Sequence, residues 1–205
     1  MTIRFENRVA VVTGAGNGLG RAHALLLASR GASVVVNDPG GAVDGRPLSG
    51  GGGAHAAADK VVAEIKAAGG LAVANYDSVA DPKSAANIVK TAVDSFGTVD
   101  IVVNNAGVLR DKTFHNMTIE DFDFVVKVHF LGTAYVTHAA WPIMRAKAYG
   151  RVVVTSSNSG ILATSARPTM PAPSSRWWAW SMPCASKARS TTSWSRRWRR
   201  SPARA

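Results

Sequence analysis

The stretch from Val9 to Gly31, VAVVTGAGNGLGRAHALLLASRG, leaves the chain few ways to fold. Val9-Ala-Val-Val12 is apolar and mostly β-branched with no polar alternation, the pattern of a strand covered on both faces. Glycine-rich TGAGNGLG follows, then a helical run that Gly31 closes. A doubly covered strand feeding a helix belongs to a parallel sheet, because parallel neighbours need a crossover to reach one another.

The alternation continues through residue 162. Ser33 to Asn37, Leu71 to Tyr76, Asp100 to Asn104 and Arg151 to Ser156 read as further strands. Helices are expected from Ala56 to Ala68, from Pro82 to Phe96, and as one long stretch from Ile119 to Met144. The expected fold class is therefore α/β, a doubly wound parallel sheet with helices on both faces.

Composition splits the chain in two. Residues 1–162 hold 15 Lys+Arg against 13 Asp+Glu, whereas residues 163–205 hold 9 Lys+Arg and no acid. Five of the 6 tryptophans and five of the 9 prolines also fall in that second part. The net charge of +11 thus describes neither half and is no mark of nucleic-acid binding by itself. Residues 1–162 are expected to form one dinucleotide-binding domain. Residues 163–205 are expected to be a non-native, disordered tail, with the sheet truncated after the fifth or so strand. Cys184 is the single cysteine, so no internal disulfide is available. The N-terminal MTIRFENRVAVVTG has no long apolar run behind a basic start, so no membrane span is expected and a cytoplasmic enzyme is the default.

Glycines between a strand and a helix let backbone N–H groups approach a pyrophosphate, and the helix N-terminus favours its charge. Asp38 ends the second strand about 20 residues past the glycines, where a carboxylate can accept both adenosine ribose hydroxyls. A 2′-phosphate would be repelled there and no basic residue immediately follows, which favours NAD over NADP. His55, His115 and His138 show no ligand spacing with one another or with Cys184, so no metal site is expected.

TGAGNGLG, then Asp77-Ser78, then Asn104-Asn105-Ala106-Gly107, each after its strand, resemble the short-chain dehydrogenase/reductase family and its Rossmann fold. VVVNDPGG, AAADKVVAEIKAAGG, VANYDSV and NNAGVLRDKTF are closer still to the (3R)-hydroxyacyl-CoA dehydrogenase domain of multifunctional β-oxidation enzymes. The resemblance covers roughly residues 4–162. It implies that Gly14, Asn17, Gly18, Leu19 and Gly20 wrap the pyrophosphate and that Asp38 holds the adenosine ribose. Asp77 and Ser78 would sit at the adenine, and Asn104, Ala106 and Gly107 would line the nicotinamide-side ribose. The family's chemistry needs a Ser–Tyr–Lys set: tyrosine exchanges the substrate hydroxyl proton, lysine lowers the tyrosine pKa, and serine orients the oxygen. Ser157 matches that serine. His129 falls where a fourth member, usually asparagine, is found, and its alternative is plain packing inside the helix. The implied substrate is a small acyl-CoA-type hydroxy or keto compound. The family is homo-oligomeric, and the helix that usually builds its dimer face is expected to be missing here.

The tyrosine should follow 13 residues after the serine and the lysine four later, yet Met170 and Ser174 stand there. Ala163 to Pro171, ATSARPTMP, can be encoded by DNA that one added base would return to Gly-Asn-Phe-Gly-Gln-Thr-Asn-Tyr-Ala. Tryptophan and methionine allow one codon each, so Trp177-Trp178 forces valine in the other frame, Trp178-Ala179 glycine, and Met170-Pro171 alanine. Suitable codons elsewhere give Tyr-x-x-x-Lys at 170 and 174, opening an amphipathic helix with a strand after it. A frame shift near codon 163 is therefore expected, and with it a chain lacking catalytic Tyr and Lys. The alternative is an NAD-binding module whose basic, Trp-interleaved tail contacts nucleic acid or anionic membrane. Against it, the tail arginines follow no helical or strand period. A methyltransferase with a similar glycine loop is disfavoured by NNAG and by the serine after the fifth strand.

Overall fold

The protein is described by a computed structural model over residues 3–42, 44–46 and 56–157. Residues 163–205, with Met170 and Ser174, lie outside the described residues. The strands are β1 (Val9–Thr13), β2 (Ser33–Asn37), β3 (Leu71–Asn75), β4 (Ile101–Asn104) and β5 (Arg151–Val154). They form one parallel sheet in the order β3-β2-β1-β4-β5. Helices α1 (Gly18–Ser29), α2 (Ala56–Ala67), α3 (Pro82–Phe96), α4 (Ile119–Val126) and α5 (Gly132–Ala146) connect and cover it.

The two-residue period of a strand sorts β1 between two cores. Val9 and Val11 join Val35, Val102 and the apolar faces of α3 and α5. Ala10 and Val12 join Val34, Val36, Ile101, Val103 and the faces of α1 and α2. Each buried valine contributes on the order of 1.5–3 kcal/mol over leaving it exposed, which is why these strands carry no polar alternation. The expected doubly wound sheet is what forms.

Local chemistry sets the helix ends. Asp81 accepts from the Ser84 N–H at 2.8 Å, Pro82 opens α3, and Gly97 closes it in the left-handed conformation. The Ser84 amide holds the Asp81 carboxyl below the usual carboxylate range.

The long stretch expected from Ile119 differs in one respect. It is helical to Ala146, but Lys127–Leu131 widens into a π-helical turn between α4 and α5. Tyr76 and Ser156 lie beyond the ends of β3 and β5. Asp100 precedes β4: its buried carboxylate accepts from the Val9 N–H at 3.0 Å and lies 2.6 Å from Lys147 Nζ. That contact ties β1, β4 and α5 together at the amino-terminal edge of the sheet. Val152 and Val153 of β5 are 37% and 51% exposed, unlike the buried valines of β1 and β2.

Candidate dinucleotide-binding and active site

Strand order reverses between β1 and β4, so the loops leaving their carboxyl ends part and open a crevice. Both loops are fixed to each other at its floor. Thr13 Oγ1 accepts from the N–H groups of Asn105 and Ala106, each at 3.0 Å. In return, Asn105 Nδ2 donates to the carbonyls of Thr13 and Gly14, each at 3.1 Å. A β-carbon on Gly14 would stand 2.8 Å from Ala106 Cα, and φ at Gly14 is +62°. Only glycine allows that approach.

The first turn of α1 meets the crevice without a cap. Asn17 is the N-cap residue in extended conformation, its side chain makes no capping bond, and no acidic residue lies in the first turn. The orphan N–H groups there, with the positive end of the helix dipole, suit an anion. A β-carbon on Gly20 would fall 2.1 Å from the Gly14 carbonyl oxygen, so glycine lets the helix sit against the loop. Gly18 faces open space, and Leu19 is 66% exposed beside it.

Asp38 follows β2. Its Oδ2 accepts from the Gly16 N–H at 2.9 Å and its Oδ1 from the Gly40 N–H at 2.9 Å. One lone pair on each oxygen is thus used, which leaves acceptor capacity on both. Asp77 follows β3. Its Oδ2 accepts from Asn75 Nδ2 at 2.7 Å and from Asn87 Nδ2 at 2.6 Å. The Ser78 hydroxyl accepts from the Ala80 N–H at 3.2 Å and so closes its own turn.

Past β4, Asn104 Nδ2 donates to Thr137 Oγ1 of α5 at 2.9 Å. The His129 ring packs on Gly107, where a β-carbon would come within 2.6 Å of Cε1. His129 Nε2 lies 3.0 Å from the Val108 nitrogen and 2.9 Å from its carbonyl oxygen. It serves one of these at a time, accepting from the N–H when unprotonated and donating to the oxygen when protonated. His129 therefore reaches out of the π-helical turn and holds the loop. Thr155 prolongs the ladder beyond β5: its N–H donates to the Asn104 carbonyl at 2.9 Å, and its hydroxyl to Asn105 Oδ1 at 3.3 Å. Ser157 comes two residues later, half-buried, on the same carboxyl-terminal edge.

A second tie lies beyond the β4 loop. Arg110 and Lys112 both ion-pair with the buried Asp121 of α4, and Arg110 Nε donates to the Asp44 carbonyl at 2.7 Å. The Lys112 ammonium and the Arg110 guanidinium hold the Asp121 carboxyl below the usual carboxylate range. This joins the loop after β2 to the segment after β4.

Every assigned residue within the described part lies on the carboxyl-terminal edge of the sheet or on the helical turn behind it. Thr13, Asn105, Thr137, Asn37 and Asn75 are polar residues of this edge that the sequence reading did not assign. The signal was available for the last two, since asparagine is out of place at the end of an otherwise buried valine- or alanine-rich strand.

The sequence profile described as short chain dehydrogenase matches residues 50–171. A protein of Mycobacterium tuberculosis named as a short-chain type dehydrogenase/reductase is 60% identical over 156 residues, covering 76% of this chain and 53% of that protein. The peroxisomal multifunctional enzyme type 2 of Mus musculus is 54% identical over 159 residues, covering 78% of this chain and 20% of that protein. The chain thus spans about half or less of the length of these curated relatives. Among solved structures, a 7α-hydroxysteroid dehydrogenase complexed with NADH and 7-oxo glycochenodeoxycholic acid is similar with a TM-score of 0.76. Its identity is 26%, over 91% of this chain and 67% of the other.

Proposed function

Because the chain belongs to the short-chain dehydrogenase family, we propose that it binds NAD at the crevice between β1 and β4. The same reading makes it an oxidoreductase fold for a secondary alcohol or ketone of the 3-hydroxyacyl-CoA type. The observation that carries this proposal is the uncapped first turn of α1 beside a crevice whose floor Thr13 and Asn105 fix. The fit to a dinucleotide is good: N–H groups without a side-chain cap, no acid in the first turn, and open space over Gly18.

NAD, when bound, supplies the hydride acceptor. The chain's own part is binding and orientation. Gly14, Asn17, Gly18, Leu19 and Gly20 surround the pyrophosphate. Asp38 accepts from the adenosine ribose hydroxyls with the lone pairs that Gly16 and Gly40 leave over. Asp77 and Ser78 meet the adenine. Asn104, Ala106 and Gly107 line the ribose next to the nicotinamide, with His129 holding their loop through Val108. Ser157 orients the substrate oxygen.

In this proposal the chain binds but does not turn over, because Met170 and Ser174 stand where the proton-exchanging tyrosine and its lysine belong. One observation supports it. The exposed Val152 and Val153 suit a strand whose intended cover is encoded in the other frame.

Titration with NADH and NADPH, read by nucleotide fluorescence, tests the binding half. NADH is expected to bind at least about tenfold more tightly than NADPH, since Asp38 repels a 2′-phosphate. No binding of NADH, or equal binding of both, would contradict the reading.

A further inference from the structure

Asn37 and Asn75 stand opposite each other in register at the carboxyl ends of β2 and β3, and both are buried. Their neighbours along β2 are valines, so two carboxamides there carry a desolvation cost that hydrogen bonds must offset. Asn37 Nδ2 donates to Asn75 Oδ1 and to the Asp77 carbonyl, both at 2.8 Å, and lies 3.4 Å from the Asn75 carbonyl. Turning the amide over would set its oxygen against these acceptors, so its orientation is fixed. Asn37 Oδ1 accepts nothing, and it is the one buried side-chain polar atom among the described residues left so. With its acceptor unused, the Asn37 side chain acts through its donors.

Those donors lead to Asp77. Asn75 Oδ1 accepts from the Asp77 N–H at 3.0 Å, while Asn75 Nδ2 donates to Asp77 Oδ2 and to Thr91 Oγ1. Asn87 Nδ2, from the exposed face of α3, donates to the same Oδ2. Amides thus grip the Asp77 backbone on both sides of its Cα and converge on a single carboxylate oxygen. The other, Oδ1, takes no donor from the described residues. Held that way it is a pure acceptor presented at the loop after β3.

We propose that Asn37, Asn75 and Asn87 are positioning residues that make this loop select an adenine base. Asp77 Oδ1 accepts from the exocyclic amine of adenine and repels the carbonyl that hypoxanthine carries at the same place. This rests on the dinucleotide reading above, which puts Asp77 at the base.

The test compares NADH with its hypoxanthine analogue, reduced nicotinamide hypoxanthine dinucleotide, on the wild-type chain and on the variants Asn37→Leu and Asn87→Ala. Asn87 is exposed, so its variant keeps the fold if Asn37→Leu does not. The wild type is expected to prefer NADH by about tenfold, as one charge-assisted hydrogen bond lost to a repulsion implies. Either variant is expected to lower that preference to roughly threefold or less, through weaker NADH binding, with hypoxanthine-dinucleotide affinity changed less than about twofold. A merely structural role would weaken both ligands alike. An unchanged ratio in Asn87→Ala, or a wild type without preference, overturns the proposal alone. A wild type that binds neither dinucleotide overturns the NAD reading, and this one with it.

Discussion

Gly20 is the residue at which the packing of the crevice can be tested with a single methyl group. A β-carbon there meets the Gly14 carbonyl at 2.1 Å and Asn105 Nδ2 at 2.5 Å, both parts of the tie between the two loops. Gly20→Ala must push α1 away from the loop or break the Asn105 bonds. Overpacking of this kind costs about 1–3 kcal/mol, so NADH affinity should fall by about tenfold or more and the melting temperature should drop. Fluorescence titration and thermal melts of the variant check this, and unchanged values for both would refute the packing argument. The glycines were legible in the sequence because nothing else fits a tight turn between strand and helix. Thr13 and Asn105 were not, because a threonine ending a strand and a second asparagine after it are ordinary polar residues until the two loops meet. Asn37 was legible as a polar residue ending a valine strand, although the adjacent Asp38 has the more familiar role.

At the scale of elements, the strands were readable because buried parallel strands have no polar face, and the four helical segments because their apolar spacing is regular. The π-helical turn at Lys127–Leu131 was not, since one widened turn leaves the apolar pattern of a long helix intact. Its consequence is specific: it is the turn from which His129 reaches Val108. The tie of α4 to the β4 loop was equally hidden, because Arg110, Lys112 and Asp121 look like a solvated charge mixture in sequence. That tie predicts a pH dependence. The folded-state pKa of Asp121 is lowered by Lys112 and Arg110, so as pH falls the unfolded chain takes up the proton first. The stability it adds is full above the ordinary aspartate value of about 3.9 and is lost as pH drops through the lowered one. Urea unfolding of wild type and Asp121→Asn should therefore show a gap that is constant near neutrality and narrows below about pH 4. A gap independent of pH down to the acid limit would contradict the assigned pair.

For the whole molecule, the decisive fact is that two compositions meet near residue 162. The first is a sheet, two cores and a crevice. The second holds basic residues, tryptophan and proline with no acid and no period. The residues proposed to hold the dinucleotide were readable as candidates because they sit in local motifs, each next to the strand that carries it. The catalytic half was legible only as a gap, Met170 and Ser174 at the spacing where tyrosine and lysine belong. The forced codons at Met170, Trp177 and Trp178 are compatible with a frame shift as the origin of that gap, and the tyrosine and lysine follow from suitable codons beside them. The most direct measurement is NADH formation from a 3-hydroxyacyl-CoA by two proteins: this chain, and one expressed after inserting a single base ahead of codon 163. No measurable turnover is expected from the first and clear turnover from the second, with NADH binding to both. Dehydrogenase activity in this 205-residue chain itself, or none in the frame-restored protein, would contradict that expectation.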